Sequence, residues 1–332
     1  MTKYIYAFIR IILFISIFAV IISIMNFYFV PSNWASIDRW EQYSDKSDVD
    51  TLFVGSSVGW VVVPRTINGI NNCQSVNMST PNQFYKTSKE AVRFVSCQQP
   101  LQTVVLLTGF EGLESAEDYG AAEAFLKAQY ETAGVLQRAW AVFTEKAGRY
   151  TDPVFLKSVD SMNIWFDWVE SFTYSLPEIV KNVAYRRERA EKSYTFDMSK
   201  SVERTEPARA GRVPVSEDIK VLQQMNLTSI KTDTRTLKEL DELAAYLKAN
   251  GIRFVVIVTP HRSDVREGYG TEYDVIDSYL EDFVTERGGE YYNIDVDPDL
   301  RAKLPDDMFM DREHIVDEGN NIVSEKIAQL LR

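Results

Sequence analysis

Two kinds of hydrophobic pattern alternate along much of this chain. Short apolar runs read as buried strands: Val49 to Val54, Gln74 to Met78, Thr103 to Leu107, Phe254 to Val258 and Glu290 to Ile294. Between them lie stretches with apolar residues at helical spacing: about Gln83 to Ser96, Arg235 to Asn250, Tyr273 to Arg287, and Val316 to Leu331. Gly251 fits the C-terminal cap of the second of these helices. Strands alternating with helices at this spacing predict a three-layer α/β domain, with about five parallel strands covered on both faces. The stretch 112–234 breaks the pattern. It lacks β-branched runs and predicts a helical insertion, with helices near 118–146, 153–170 and 175–193. Its aromatics (Trp140, Trp165, Phe166, Trp168, Phe172, Tyr174) either line a cleft or pack the insertion together.

The start of the chain follows a third pattern. Residues 11–30 carry no charge and are mostly Ile, Phe, Val and Leu. As a helix this run spans about 30 Å, the thickness of a hydrocarbon core. Arg10 abuts it, whereas Arg39 and Lys46 lie well beyond its end. That asymmetry predicts a single-pass anchor at 11–30 in the cell membrane, with residues 1–10 cytoplasmic and the rest extracytoplasmic. A cleaved signal peptide is the rival, but its apolar core is usually about 7–15 residues and ends at a small-x-small site. Here the run ends in Phe27-Tyr28-Phe29-Val30-Pro31. Residues 31–48 then read as a polar juxtamembrane linker, and 49–111 with 235–332 as the α/β core.

The net charge of -12 opposes binding to a phosphate backbone, so nucleic acid is not an expected partner. The two cysteines, Cys73 and Cys97, stand at the start of the second strand and the end of the helix after it. A helix running back antiparallel would bring those ends together, so a disulfide is one expectation and two unpaired thiols the other. Two histidines and two cysteines far apart in sequence do not suggest a metal site. Neither a phosphate-binding loop nor a dinucleotide fingerprint is present, so no cofactor is expected.

In an open parallel sheet, ligands bind beyond the carboxyl ends of the strands. Ser57, Asn77, Ser79, Gly109, His261, Asp311 and His314 all fall on that edge. Within Gly55-Ser56-Ser57-Val58-Gly59, a serine at a tight strand-to-helix turn exposes both its hydroxyl and its backbone N–H. A serine hydroxyl needs a base, and a histidine base needs a carboxylate on its other nitrogen. Asp311-x-x-His314 offers that pair, which makes Ser57 the candidate nucleophile. His261 with Arg262 is the alternative base or a substrate-binding pair, and Asn77 and Gln83 are further candidates for substrate contact. The bland alternative is an ordinary Gly-Ser loop with an exposed Asp and His.

Three blocks of this sequence resemble the SGNH (GDSL-like) hydrolase superfamily. They are Leu52-Phe53-Val54-Gly55-Ser56-Ser57, Val76-Asn77-Met78-Ser79, and Asp311-Arg312-Glu313-His314 running on to Gly319. The chain looks most like the membrane-anchored bacterial branch, with its DltD-like and alginate-acetylation-type proteins. The resemblance covers about 49–110 and 235–332. It implies a flavodoxin-like fold, the triad Ser57, His314 and Asp311, and oxyanion donors at Ser57, Ser79 and Gly109. It also implies acyl chemistry, acetyl transfer in particular, on a cell-envelope polysaccharide or another acylated polymer, with a membrane-bound acyltransferase as possible partner. The sequence departs from the family pattern at Ser56 for Asp, at Ser79 for Gly, and after Gly109, where Phe110-Glu111 replaces the expected Asn. Gln83 or Asn82 could supply the missing donor. A non-catalytic module of the same fold, binding glycan or the acyltransferase, is the other reading.

Overall fold

The computed structural model describes residues 2–29, 39–40, 42–43, 46–81, 83, 85–113, 234–309, 311–315 and 317–332. Residues 114–233 of the predicted insertion at 112–234, with its aromatics, lie outside them. The chain divides into two compact units, the first holding helix α1 (Thr2–Phe29) and the second holding the sheet. Side chains are described at 4–18 and 21 of α1, and all of them are exposed. Among the described residues no helix is long and apolar enough to cross a membrane. The uncharged run predicted as the anchor extends past those described side chains.

The second unit is an α/β domain. Five parallel strands, β1 (Thr51–Gly55), β2 (Ser75–Asn77), β3 (Thr103–Thr108), β4 (Arg253–Val258) and β5 (Glu290–Asn293), lie in the order β2-β1-β3-β4-β5. This is the doubly wound order in which the chain reverses direction across the sheet between β1 and β3, opening a crevice at their carboxyl ends. The helices are α2 (Pro64–Asn71), α3 (Tyr85–Ser96), α4 (Thr234–Ala249), α5 (Ser263–Tyr269), α6 (Glu272–Glu286), α7 (Pro298–Arg301) and α8 (Asp317–Leu330).

Side chains alternate across each strand, so the two faces carry different sets. Phe53, Val105, Leu107, Val255 and Ile257 share one core with Ile67 of α2 and Val323 and Ile327 of α8. Leu52, Val54, Val104, Leu106 and Val256 are equally buried, and α3 and α4 pack together with the sheet there. Lys89 of α3 pairs with Glu242 of α4 across that layer. A strand buried on both faces must be apolar at consecutive positions, which is why the runs were readable as short unbroken blocks.

The structure decides between the two expectations for the cysteines and revises the linker. The cysteines are free thiols. Cys73 packs with the α2/α8 core, and its thiol bonds Asn68 Oδ1 at 3.5 Å, whereas Cys97 follows α3 on the other layer. The expectation of antiparallel ends meeting had the edge of the sheet right and the face wrong. Nor is the stretch after α1 all linker. Arg39, Trp40 and Tyr43 are buried, Trp40 and Tyr43 pack edge-on against Phe94 of α3, and Arg39 Nε donates to the Ser79 carbonyl at 3.1 Å.

Candidate active site

β1 ends at Gly55, whose φ is +144°, a region that L side chains rarely adopt. A Cβ there would collide with the Leu107 carbonyl of β3, so the chain can turn this tightly only at glycine. Directly after it, Ser57–Val61 forms a 3₁₀ turn. Its first backbone bond runs from Gly59 N to Ser56 O at 3.0 Å. The N–H groups of Ser57 and Val58 precede that bond and have no acceptor inside the turn. Ser57 is half-buried. With three residues per turn, Ser57 and Trp60 lie on one face.

Residues 311–315 cross the same edge from the other end of the chain. Phe309 and Ile315 form an antiparallel bridge that closes the loop. Asp311 Oδ1 accepts from the backbone N–H of Glu313 (2.9 Å) and of His314 (2.8 Å), and Oδ2 takes the His314 Nδ1 at 2.7 Å. Burial works to raise the Asp311 carboxyl, but the imidazole hydrogen bond, the imidazole charge and the two backbone donors outweigh it and hold it at about 2. Asp311 is thus ionised at neutral pH and can only accept, which makes Nδ1 the protonated nitrogen and Nε2 the one with a lone pair. Nε2 is buried and, among the described residues, has no hydrogen-bond partner. The imidazole packs 6.0 Å, centroid to centroid, from the Trp60 ring, and so lies against the turn that carries Ser57. Trp60 Nε1 is likewise buried and unpartnered.

The other predicted site residues divide. Gly109 stands at the end of β3, at the crevice edge, and its carbonyl accepts from Thr108 Oγ1 at 2.8 Å and Gly112 N at 3.3 Å. The predicted oxyanion donor Ser79 is corrected, because its N–H is committed to Asn77 Oδ1 at 3.0 Å. Its hydroxyl is buried without a partner against Gly59, where any Cβ would overlap it. Asn77 does not face substrate. It is fully buried and donates from Nδ2 to the Gly59 and Val62 carbonyls at 2.8 and 3.1 Å, which clamps the 3₁₀ turn. Gln83 is buried too, accepting from Thr80 Oγ1 at 2.8 Å and donating to Ser88 Oγ at 3.3 Å. His261 and Arg262, predicted for substrate contact or as the alternative base, are 2% and 5% exposed. Arg262 Nε holds Asp264 at 2.9 Å, and His261 pairs with Asp295. Asn82 lies outside the described residues. Among the described residues, no group of His, Cys, Asp and Glu could hold a metal ion.

No protein-family model matches the chain, and no curated protein matches it. One solved structure similar to it is a Bacteroides fragilis NCTC 9343 protein described as a "putative acylhydrolase". The two are 10% identical with a TM-score of 0.38, over 91% of this chain and all of that one.

Several residues around the site carried no signal in the sequence. Trp60 lies in an apolar stretch, and its place beside His314 depends on how the 311–315 loop returns to the 3₁₀ turn. Asp295 follows β5 as an ordinary loop acid. Ser324 of α8 is buried, accepts from Val63 N at 2.8 Å and donates to the Asn320 carbonyl at 2.7 Å. Such partners are set by tertiary contact and have no sequence spacing to reveal them. The Arg39 contact with Ser79 was hidden for the same reason.

Proposed function

We propose that this protein is a serine-dependent acyl-ester hydrolase or O-acyltransferase, with Ser57 as nucleophile, His314 as base and Asp311 as its orienting carboxylate. The observation that carries this reading is the state of His314. Its Nδ1 is bound to an ionised carboxylate, its Nε2 has no partner among the described residues, and its ring rests on the turn that begins with Ser57. Leaving a buried nitrogen unpaired costs about 1–3 kcal/mol, which a nucleophile or substrate hydroxyl would offset. In the reaction, Ser57 Oγ attacks the acyl carbon while its proton moves to His314 Nε2. The imidazolium is stabilised by Asp311, and the N–H of Ser57 supports the oxyanion, with Gly109 at the adjoining strand end. His314 then returns the proton to the leaving alcohol. The acyl-Ser57 ester passes to water, or to a sugar hydroxyl activated by the same base.

The likeness of the three sequence blocks to SGNH hydrolases supports this chemistry. It also suggests an acetylated cell-envelope polysaccharide as substrate and a membrane-bound acyltransferase as partner. The uncharged run at 11–30 supports a membrane anchor that holds the domain on the extracytoplasmic side. A second reading, a binding module of this fold, is favoured by one observation: Ser79 N–H and Gln83 are committed inside the protein, which leaves fewer oxyanion donors. Losing one donor typically lowers a rate about 10²–10³-fold.

Labelling of the full-length chain with a fluorophosphonate, read by peptide mass spectrometry, separates the two. The expected result is an adduct on Ser57, with ester turnover falling about 10⁴-fold or more in Ser57→Ala and His314→Ala variants that remain folded. A folded wild-type chain that takes no label and turns over no ester would establish the binding module instead.

A further inference from the structure

A second histidine–carboxylate pair lies beneath the candidate dyad. His261 follows β4, its N–H donates to Asp295 Oδ1 at 2.8 Å, and its Nδ1 is 3.6 Å from Asp295 Oδ2. Both side chains are 2% exposed. Asp295 also accepts from the Tyr273 hydroxyl of α6 at 2.7 Å, and its backbone N–H donates to Asn293 Oδ1 at 3.0 Å, which fixes the end of β5. Arg301 of α7 donates from Nη1 to the His261 carbonyl at 2.5 Å and lies 3.8 Å from Asp295 Oδ1. Polar groups buried this deeply are costly to desolvate, and a pair of hydrophobic residues often packs at least as stably. Stability alone is therefore a weak reason for the pair.

Its position supplies a stronger one. The next residue, Arg262, donates its backbone N–H to the Arg312 carbonyl at 2.9 Å, and Arg312 sits between Asp311 and Glu313. The Arg301 guanidinium lies 5.9 Å over the ring of Phe309, which bridges to Ile315 and closes the loop. The pair thus meets the dyad loop at its middle, through Arg262, and at its base, through Arg301.

We propose that the buried His261–Asp295 pair is a positioning device for His314, holding the 309–315 loop in register through Arg262 N–H and Arg301. His261 is a positioning residue and touches no substrate. A shift of about 1 Å in a base can cost a factor of about 10² in rate, so a loop held at two points is a means of keeping Nε2 in place.

The test uses the full-length chain with His261→Asn, and Arg301→Gln as a milder change at a half-buried side chain. The first readout is the low-field proton resonance of the Asp311–His314 hydrogen bond, assigned by its loss in His314→Ala. The second is fluorophosphonate labelling of Ser57, resolved into reagent affinity and maximal rate. The activity readout rests on the proposed Ser57 chemistry, whereas the resonance does not. In variants that still unfold cooperatively, the resonance is expected to shift or broaden, and the maximal labelling rate to fall about 10- to 100-fold with little change in reagent affinity. A folded variant with the wild-type resonance and rate would overturn the proposal. If His261→Asn does not fold, Arg301→Gln decides. If the wild type takes no label, the serine chemistry fails and the resonance alone decides the positioning role.

Discussion

At the scale of single residues, Asp311 has a titration whose sign can be worked out. Its carboxyl is held at about 2 in the folded chain against an ordinary value of 3.8. A depressed carboxyl adds stability that is present above its ordinary value and is lost as pH falls through the folded value. The stability gap between the wild type and Asp311→Asn, measured by urea unfolding, is therefore expected to be present at pH 5 and to close between about pH 4 and 2. The side chain is 39% exposed, so the gap should be small and should shrink with salt. A gap unchanged across that interval would show that the imidazole pair is not what Asp311 contributes. The Asp311–His314 contact was legible in the sequence because it depends on residue type and local spacing. Asn77, Ser79 and Gln83 were placed correctly at the sheet edge and given the wrong task. Which atom a buried amide or hydroxyl bonds is settled only when other segments arrive.

Secondary-structure elements were legible where the hydrophobic period was long. All five strands and the helices α3, α4, α6 and α8 lie within a residue or two of their predicted bounds. Helices α2, α5 and α7 were missed. Pro64-Arg-Thr-Ile-Asn-Gly-Ile-Asn has eight residues with one fully buried side chain, Ile67, and includes Asn, Thr and Gly, all weak helix formers. Such a segment is helical because α8 packs against it, and that contact is not encoded within it. One hydroxyl ties this layer to the site. Ser324 accepts from Val63 N, just after the Ser57 turn, while lying fully buried in α8. Replacing it with Ala leaves that N–H without its acceptor. The expected loss is about 1–3 kcal/mol, read as a lower denaturant midpoint at unchanged slope. A midpoint within error of the wild type would mean the Val63 N–H finds another acceptor.

Over the whole molecule, the doubly wound order assigns the two cysteines to opposite layers, with the sheet between them. Thiol titration of the denatured, non-reduced chain is expected to count two free thiols, and reductant should leave the unfolding midpoint where it is. A bridge would contribute about 2–4 kcal/mol, and its reduction would show as a clear drop in that midpoint. The layer assignment was not legible in the sequence. Strand order and the side of each crossover are set by global packing, and the local pattern around Cys73 or Cys97 is the same either way.

The contact of α8 with the turn after β1 also governs timing during synthesis. The Val63–Ser324 bond joins residues 261 apart, and the Asp311–His314 loop lies almost as far from Ser57. Chains emerge from the ribosome in order, so the Ser57 turn is made long before the His314 loop. Every nascent chain that stops before residue 311 would carry the Ser57 turn without α8 or the Asp311–His314 loop. The proposed activity would begin only once residues 311–330 have emerged and packed on the serine turn, and a chain cut short before them would remain silent rather than act without control.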